Sequence, residues 1–182
     1  MAIIIENDSM NPNDKLLLER VIDLGEMFKD MRFTKDSLTY KYINDMIPDA
    51  LVNFDYHHFV YHVEPLDKCD GIFDEDTQTV SISPDALGRD DIILHEMIHL
   101  HEQILKKLPS YKFRDLFIWT LYSSLKSQIP ELDDLISYHM DVTKNEDNNS
   151  KESHEILFLL KSLDCDLRHG YELGTVLYVD CQ

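Results

Sequence analysis

Cysteine, glycine and long apolar runs are all scarce in this sequence of 182 residues. The three cysteines, Cys69, Cys165 and Cys181, are odd in number and lack metal-ligand spacing, which argues against a disulfide framework or a structural zinc site. The five glycines form neither a phosphate-binding loop nor a dinucleotide fingerprint. No apolar run is long enough to span a bilayer, and residues 1–8 lack the basic region that opens a signal peptide. We therefore expect a cytoplasmic protein with reduced thiols.

Basic residues are few as well: 17 lysines and arginines stand against 35 aspartates and glutamates, for a formal net charge of -18. A nucleic-acid binder gains affinity from cations that neutralise phosphates, so we do not expect a nucleic-acid partner. An anionic membrane surface is a poor partner for the same reason, whereas a basic peptide or protein is favoured. Acidic residues also occur as scattered pairs such as Asp90-Asp91, which is typical of an ordinary solvated surface.

The length suits one globular domain, and the apolar pattern predicts an α+β fold that is mostly helical with a small β-sheet. The predicted elements are a first helix beginning at Asn11, a second helix over Thr34–Met46, and strands at 59–63 and 79–83. The domain is expected to comprise a helical N-terminal segment 1–50, strands and a central helix in 54–108, inserted helices in 110–142, and a last helix and strand in 150–182.

One motif carries the chemistry: residues 95–99 read His-Glu-Met-Ile-His within an apolar periodic run. Residues four apart lie on the same helical face, so His95 and His99 can direct their imidazoles at one zinc ion. Glu96 then lies beside the metal without ligating it, and can act as general base toward a metal-activated water. Such a pentapeptide also arises by chance, but the acidic helix start at Asp90 and Asp91 favours a helix that carries a metal.

Catalytic zinc sites usually take three protein ligands, so a third ligand must come from elsewhere in the chain. His154 is the preferred candidate, because it opens an apolar helix that ends at Gly170, and a first-turn side chain can reach a neighbouring helix. His139 is the alternative histidine. The formal carboxylate candidates are Glu131, Glu152 and Glu155.

Other polar side chains are assigned different roles. Glu102 lies roughly 10 Å along the helix axis from the first histidine of the motif, too far to share its ion. His101 points away from the histidine face, so it caps the surface or packs. His58 and His62 share a strand face and are interpreted as surface or sheet-packing histidines rather than a second metal site. A hydrogen bond to the oxyanion of the reaction can come from Tyr138, Tyr171 or His139.

Together these motifs resemble those of the SprT-like metallopeptidases, the family that includes the Spartan proteases. The resemblance spans about Phe54 to the end, and is carried by Gly71-Ile72-Phe73, Thr79 to Pro84, the His-Glu-x-x-His motif, His154 with Phe158, and Gly170 before Thr175 to Val179. It implies a zincin-like fold with a last strand, zinc ligands His95, His99 and His154, and protein substrates. The chain departs from the family in having Glu155 in place of a glycine, a longer Tyr111 to Asn149 segment, and no Cys-x-x-Cys zinc ribbon.

The sequence thus predicts a zinc-dependent metallopeptidase of the HExxH type, acting on a protein or peptide substrate that is favoured to be basic. The alternative from another class is a non-catalytic interaction or regulatory protein that retains the zincin fold and binds a basic partner through its acidic surface. Glu96 discriminates between the two, because hydrolysis requires its carboxylate and binding does not.

Overall fold

The computed structural model describes residues 10–28, 59–106, 111–145 and 155–179. This part of the chain has the predicted α+β composition, with five α-helices and one three-stranded sheet. The elements are α1 (Pro12–Phe28), β1 (Val60–Val63), β2 (Gly71–Asp74), β3 (Thr79–Ile82), a 3-10 turn (Pro84–Ala86), α2 (Asp90–Lys106), α3 (Tyr111–Lys126), α4 (Leu132–Asn145) and α5 (Ile156–His169). They cluster into two compact units, the first containing α1 to α2 and the second α3 to Leu177. The single-domain organisation stays a prediction.

Helix α1 of the first unit begins where the sequence predicts. The side chain of Asn11 accepts a hydrogen bond from the backbone N–H of Asn13 at 3.0 Å, and Pro12 occupies the first helical position. The sequence predicts one apolar stripe on this helix, formed by Leu17, Val21, Leu24 and Phe28. Leu17, Val21 and Leu24 are buried, and the side chain of Phe28 lies outside the described part of the structure. The predicted second helix, Thr34–Met46, lies outside the described residues.

The sheet of the first unit has the strand order β1-β3-β2. Strand β1 is parallel to β3, and β2 is antiparallel to it, with Gly71 opposite Ile82. Val80 and Ile82 of the central strand are fully buried, as expected for a strand that is paired on both sides. The carboxylate of Asp14 accepts the N–H of Val63 at 2.8 Å and so joins α1 to β1. The strands predicted at 59–63 and 79–83 are confirmed.

Helix α2 runs through the core of the first unit. Its buried apolar side chains are Ile92, Ile93, Leu94, Met97, Ile98 and Leu100. Arg20 of α1 donates from Nε to Asp90 Oδ1 at 3.0 Å, which fixes the first turn of α2. Burial opposes ionisation of Asp91, but the hydrogen bond and charge of Arg89 hold the pKa of this carboxyl below its ordinary value. Both acids of the helix start are therefore paired with arginines.

The second unit contains the helices predicted for 110–142, which are α3 and α4, and the long apolar helix α5. Helix α5 buries every side chain from Leu157 to Asp166. It ends at Gly170, which is left-handed with φ of 72° and donates its N–H to the carbonyl of Asp166. This confirms the predicted glycine C-cap, because a residue without Cβ takes this conformation without steric cost.

The prediction of a last strand at Thr175 to Val179 is wrong, because residues 173–178 form turns. The carboxylate of Asp166 accepts the N–H groups of Gly174 at 2.7 Å and Val176 at 3.0 Å. The N–H of Thr175 bonds to the carbonyl of Glu172 at 3.1 Å. These backbone groups are thus satisfied locally instead of by a neighbouring strand. In the described parts of the chain, no helix has both the length and the apolar character needed to cross a membrane.

Candidate metal centre

The predicted motif lies on α2, at the middle of the helix. His95 and Glu96 are each 4% exposed, while the side chain of His99 is 19% exposed. The imidazoles of His95 and His99 approach each other with ring centroids 5.1 Å apart and ring planes at 74°. Helical spacing therefore places the two imidazole rings next to each other, one buried and one partly exposed.

The spacing of the two rings can be tested against the size of a zinc ion. Nitrogen ligates zinc at about 2.1 Å, so two histidines at a tetrahedral angle have ring centroids roughly 5.2 Å apart. The observed 5.1 Å agrees with that separation. Imidazole nitrogens are also ligands that zinc prefers. The distance between the two rings is therefore compatible with one zinc ion between them.

Glu102 lies beside this pair, although its distance along the helix had excluded it as a ligand. Its Oε2 is 3.9 Å from Nδ1 of His99, and its side chain is 12% exposed. That distance is too long for a direct hydrogen bond but close enough for a charge to act. A carboxylate next to the second ring nitrogen commonly orients a metal-binding histidine. The i,i+3 spacing from His99 is the signal that could have identified this proximity.

Glu96 is directed toward strand β2. A Cβ atom built on Gly71 would lie 2.8 Å from Oε1 and 3.0 Å from Cγ of Glu96. It would also lie 2.9 Å from Cγ2 of Ile92, one turn earlier on α2. The carboxylate of Glu96 thus occupies space next to the strand that is available because residue 71 has no side chain. No pattern in the sequence had assigned Gly71 such a role.

The remaining histidines of the first unit have other surroundings. His101 is 6% exposed, so it packs inside the unit rather than capping the surface. His62 on β1 is half exposed, and its Nδ1 lies 3.3 Å from Oδ2 of Asp14. This placement agrees with the interpretation of His62 as a surface or sheet-packing residue. His58 lies outside the described residues.

The third ligand is not fixed by the described residues. His154, the preferred candidate, lies outside them, so its assignment stays a prediction. His139, the alternative, is buried on α4 in the second unit. Among the side chains that the structure describes, no group of three histidines, cysteines, aspartates or glutamates converges on a metal position.

The carboxylate candidates for the third ligand have ordinary surface positions where they are described. Glu131 is exposed, and Glu155 forms an ion pair with Arg114. Glu152 lies outside the described residues. The position of Glu155 at the start of α5 gives this acid an electrostatic role within the second unit.

The suggested oxyanion donors also lie in the second unit. Tyr138 on α4 is 63% exposed, and Tyr171 follows α5 with its ring stacked on His169 at 5.0 Å. His139 is the third of them. The identity of the oxyanion donor stays a prediction.

In comparisons with known proteins, no family model, curated protein or solved structure matches the chain. The resemblance to the SprT-like metallopeptidases accordingly stays a prediction from the motifs. Function must therefore be inferred from the residues of α2 and from strand β2 beside them.

Proposed function

We propose that the protein is a zinc-dependent metallopeptidase with a zincin-like fold, a divergent relative of the SprT-like family. His95, His99 and His154 are the proposed zinc ligands, and Glu96 is the proposed general base. The observation that carries the proposal is the pairing of the two imidazoles at a centroid distance of 5.1 Å, with a buried carboxylate on the adjacent residue. Titratable side chains gathered in one place in this way are typical of catalytic sites.

The proposed chemistry assigns separate roles to the chain's own residues. A zinc ion held by the two histidines and a third ligand would polarise the scissile carbonyl and lower the pKa of a water molecule. Glu96 accepts the proton of the attacking water and returns it to the leaving amine. Glu102 holds the imidazole of His99 in orientation through its charge.

Strand β2 supports a peptide as the substrate. In the described sheet it pairs with β3 alone, so its other side is an edge, and Glu96 contacts it at Gly71. An extended peptide can add to such an edge through main-chain hydrogen bonds. Ile72 in this strand is 40% exposed and offers an apolar contact to a bound peptide. The net charge of -18 favours a basic substrate sequence.

The experiment that tests this function compares the parent protein with Glu96→Gln. We expect the variant to keep its zinc and its melting temperature, and to hydrolyse fluorescein-labelled casein roughly 100 to 10,000 times more slowly. Glu172→Gln is the matched control, because it makes the same chemical change at an exposed position of the second unit. A Glu96→Gln protein that cleaves as fast as the parent contradicts the mechanism.

The acidic surface keeps the interaction protein as a second candidate function. Its distinguishing property is indifference to Glu96, since binding of a basic partner needs charge and not a proton acceptor. Zinc-loaded parent protein that does not hydrolyse casein, together with equal retention of a basic protein by the parent and Glu96→Gln, supports that candidate instead.

A further inference from the structure

We propose that Gly71 is a positioning residue for Glu96. The missing side chain on β2 leaves the space in which the Glu96 carboxylate lies, and the strand thereby sets the position of the base. The role of Glu96 in catalysis rests on the proposed function. The steric relation between Gly71 and Glu96 is independent of that function.

The distances show how closely the strand approaches the acid. A Cβ on Gly71 would lie 2.8 Å from Oε1 of Glu96, whereas ordinary van der Waals contacts begin at 3.4 Å. The carboxylate or the strand would have to move by about 0.6 Å to accommodate a single methyl group. Glu96 is buried, so its flexible carboxylate can relieve the contact only by moving within the protein interior, away from its present position.

Backbone conformation gives no other reason for a glycine at this position. In the described chain the glycines with positive φ are Gly170 and Gly174, and Gly71 is not among them. It belongs to a regular antiparallel pair with β3, where a side chain is normally an advantage. A glycine within a strand commonly marks the close approach of another group. Here that group is the side chain of Glu96, with Ile92 as its neighbour.

The expected consequence is a base whose position is set by the strand. Catalysis is sensitive to displacement of a reacting group on this scale, and an error of 1 Å can cost about 100-fold in rate. The added methyl group contacts Glu96 and Ile92, and neither imidazole of the metal pair is among its nearest neighbours. Gly71→Ala is therefore expected to lower kcat about 10- to 100-fold, with unchanged zinc content and unchanged KM.

The first test measures the steric relation in metal-free protein, where activity plays no part. Melting temperatures are compared for the parent, Gly71→Ala, Glu96→Ala and the double variant. We expect Gly71→Ala to lower the melting temperature by about 3 to 10 °C, and to lower it by less than half as much in the Glu96→Ala background. If Gly71→Ala alone does not fold and the double variant does, the proposal is supported.

Ile92→Leu is the matched control, because leucine lacks the Cγ2 methyl group that lies 2.9 Å from the added Cβ. If Ile92→Leu restores the melting temperature lost in Gly71→Ala and Glu96→Ala does not, the proposal is overturned. The glycine would then serve the packing of Ile92 and not the position of Glu96. The proposal is also overturned if Gly71→Ala lowers the melting temperature equally with glutamate and with alanine at position 96, or if it prevents folding in both backgrounds.

The second test asks whether the position matters for hydrolysis of labelled casein. Gly71→Ala is expected to lower kcat by a factor of about 10 to 100 with glutamate at position 96, and to leave it nearly unchanged in the Glu96→Asp background, where the shorter side chain withdraws from the added methyl group. If Gly71→Ala leaves kcat unchanged with either glutamate or aspartate at position 96, the catalytic part of the proposal is refuted. A parent without zinc or hydrolysis refutes the proposed function instead, and the metal-free stability result still decides the steric relation.

Discussion

Raising the pH should destabilise the second unit through Cys165, a thiol that is 4% exposed on α5. Burial raises the pKa of this thiol to about 12, from an ordinary value of 9.0. In the unfolded chain the thiol ionises above about pH 9, whereas in the folded chain it stays protonated to about pH 12. Its contribution to stability is therefore complete below pH 9 and is lost as the pH rises through this window.

The size of the effect follows from the width of the window. Each pKa unit corresponds to about 1.4 kcal/mol, so the full loss is about 4 kcal/mol at pH 12, and about half of it is expected by pH 10.5. Urea denaturation of the parent and of Cys165→Ala, repeated from pH 7.5 to 10.5, measures this directly. The variant loses packing at every pH, but its stability should fall by about 2 kcal/mol less than that of the parent over this range.

Thiol modification supplies an independent check on the same burial. Cys69 is only half buried, so native protein should react with Ellman's reagent at Cys69 before Cys165, and peptide mass spectrometry can assign the modified residue. Parallel pH profiles for the parent and Cys165→Ala, or prompt labelling of Cys165 in native protein, would show that burial of this thiol does not control stability at high pH.

Two further substitutions test hydrogen bonds that lie within one unit or the other. Arg20→Ala removes the donor to Asp90 at the start of α2, and because both side chains are partly exposed, the expected loss is about 1 kcal/mol in urea denaturation. Unchanged stability would show that this link does not fix the helix start. Asp166→Asn replaces one of two carboxylate acceptors with an amide donor, so the N–H of Gly174 or Val176 loses its partner at an expected cost of about 1 to 3 kcal/mol. Amide exchange at these two residues should quicken, and identical exchange rates would contradict the assignment.

The parts of the fold that sequence could predict are those with local causes. Asn11 caps the start of α1, and Gly170 ends α5. Each of these residues is adjacent in sequence to the helix that it begins or ends. The alternation of polar and apolar residues in β3 is likewise a pattern contained in a short segment, although the polar Ser81 is buried along with Val80 and Ile82. Such signals are contained in neighbouring residues, and they predicted these elements correctly.

The parts that could not be predicted depend on residues distant in sequence. Thr175 to Val179 has the composition of a strand, but the carboxylate of Asp166, ten residues before Val176, accepts the N–H groups of Gly174 and Val176. Composition cannot reveal these hydrogen bonds, because they depend on how the chain folds back after α5. The close approach of Gly71 to Glu96 is equally non-local, joining β2 to α2.

The same distinction between local and tertiary causes applies to the candidate site. The spacing of His95 and His99 is a property of one helix, so sequence alone could place both imidazoles on one face. A third ligand depends on tertiary packing, which no pattern in a single sequence fixes. The choice of His154 over His139 is therefore the point at which experiment is most informative.

The zinc content of the protein decides whether the histidine motif is a metal site. Elemental mass spectrometry on untagged protein purified without added metal is needed for the parent, His154→Ala and His139→Ala, each checked for folding by circular dichroism. We expect about one zinc per chain in the parent, lost in His154→Ala and kept in His139→Ala. The reverse pattern would assign the third ligand to His139. Folded parent protein that holds no zinc, even after the metal is added back, would show that the motif is not a zinc site.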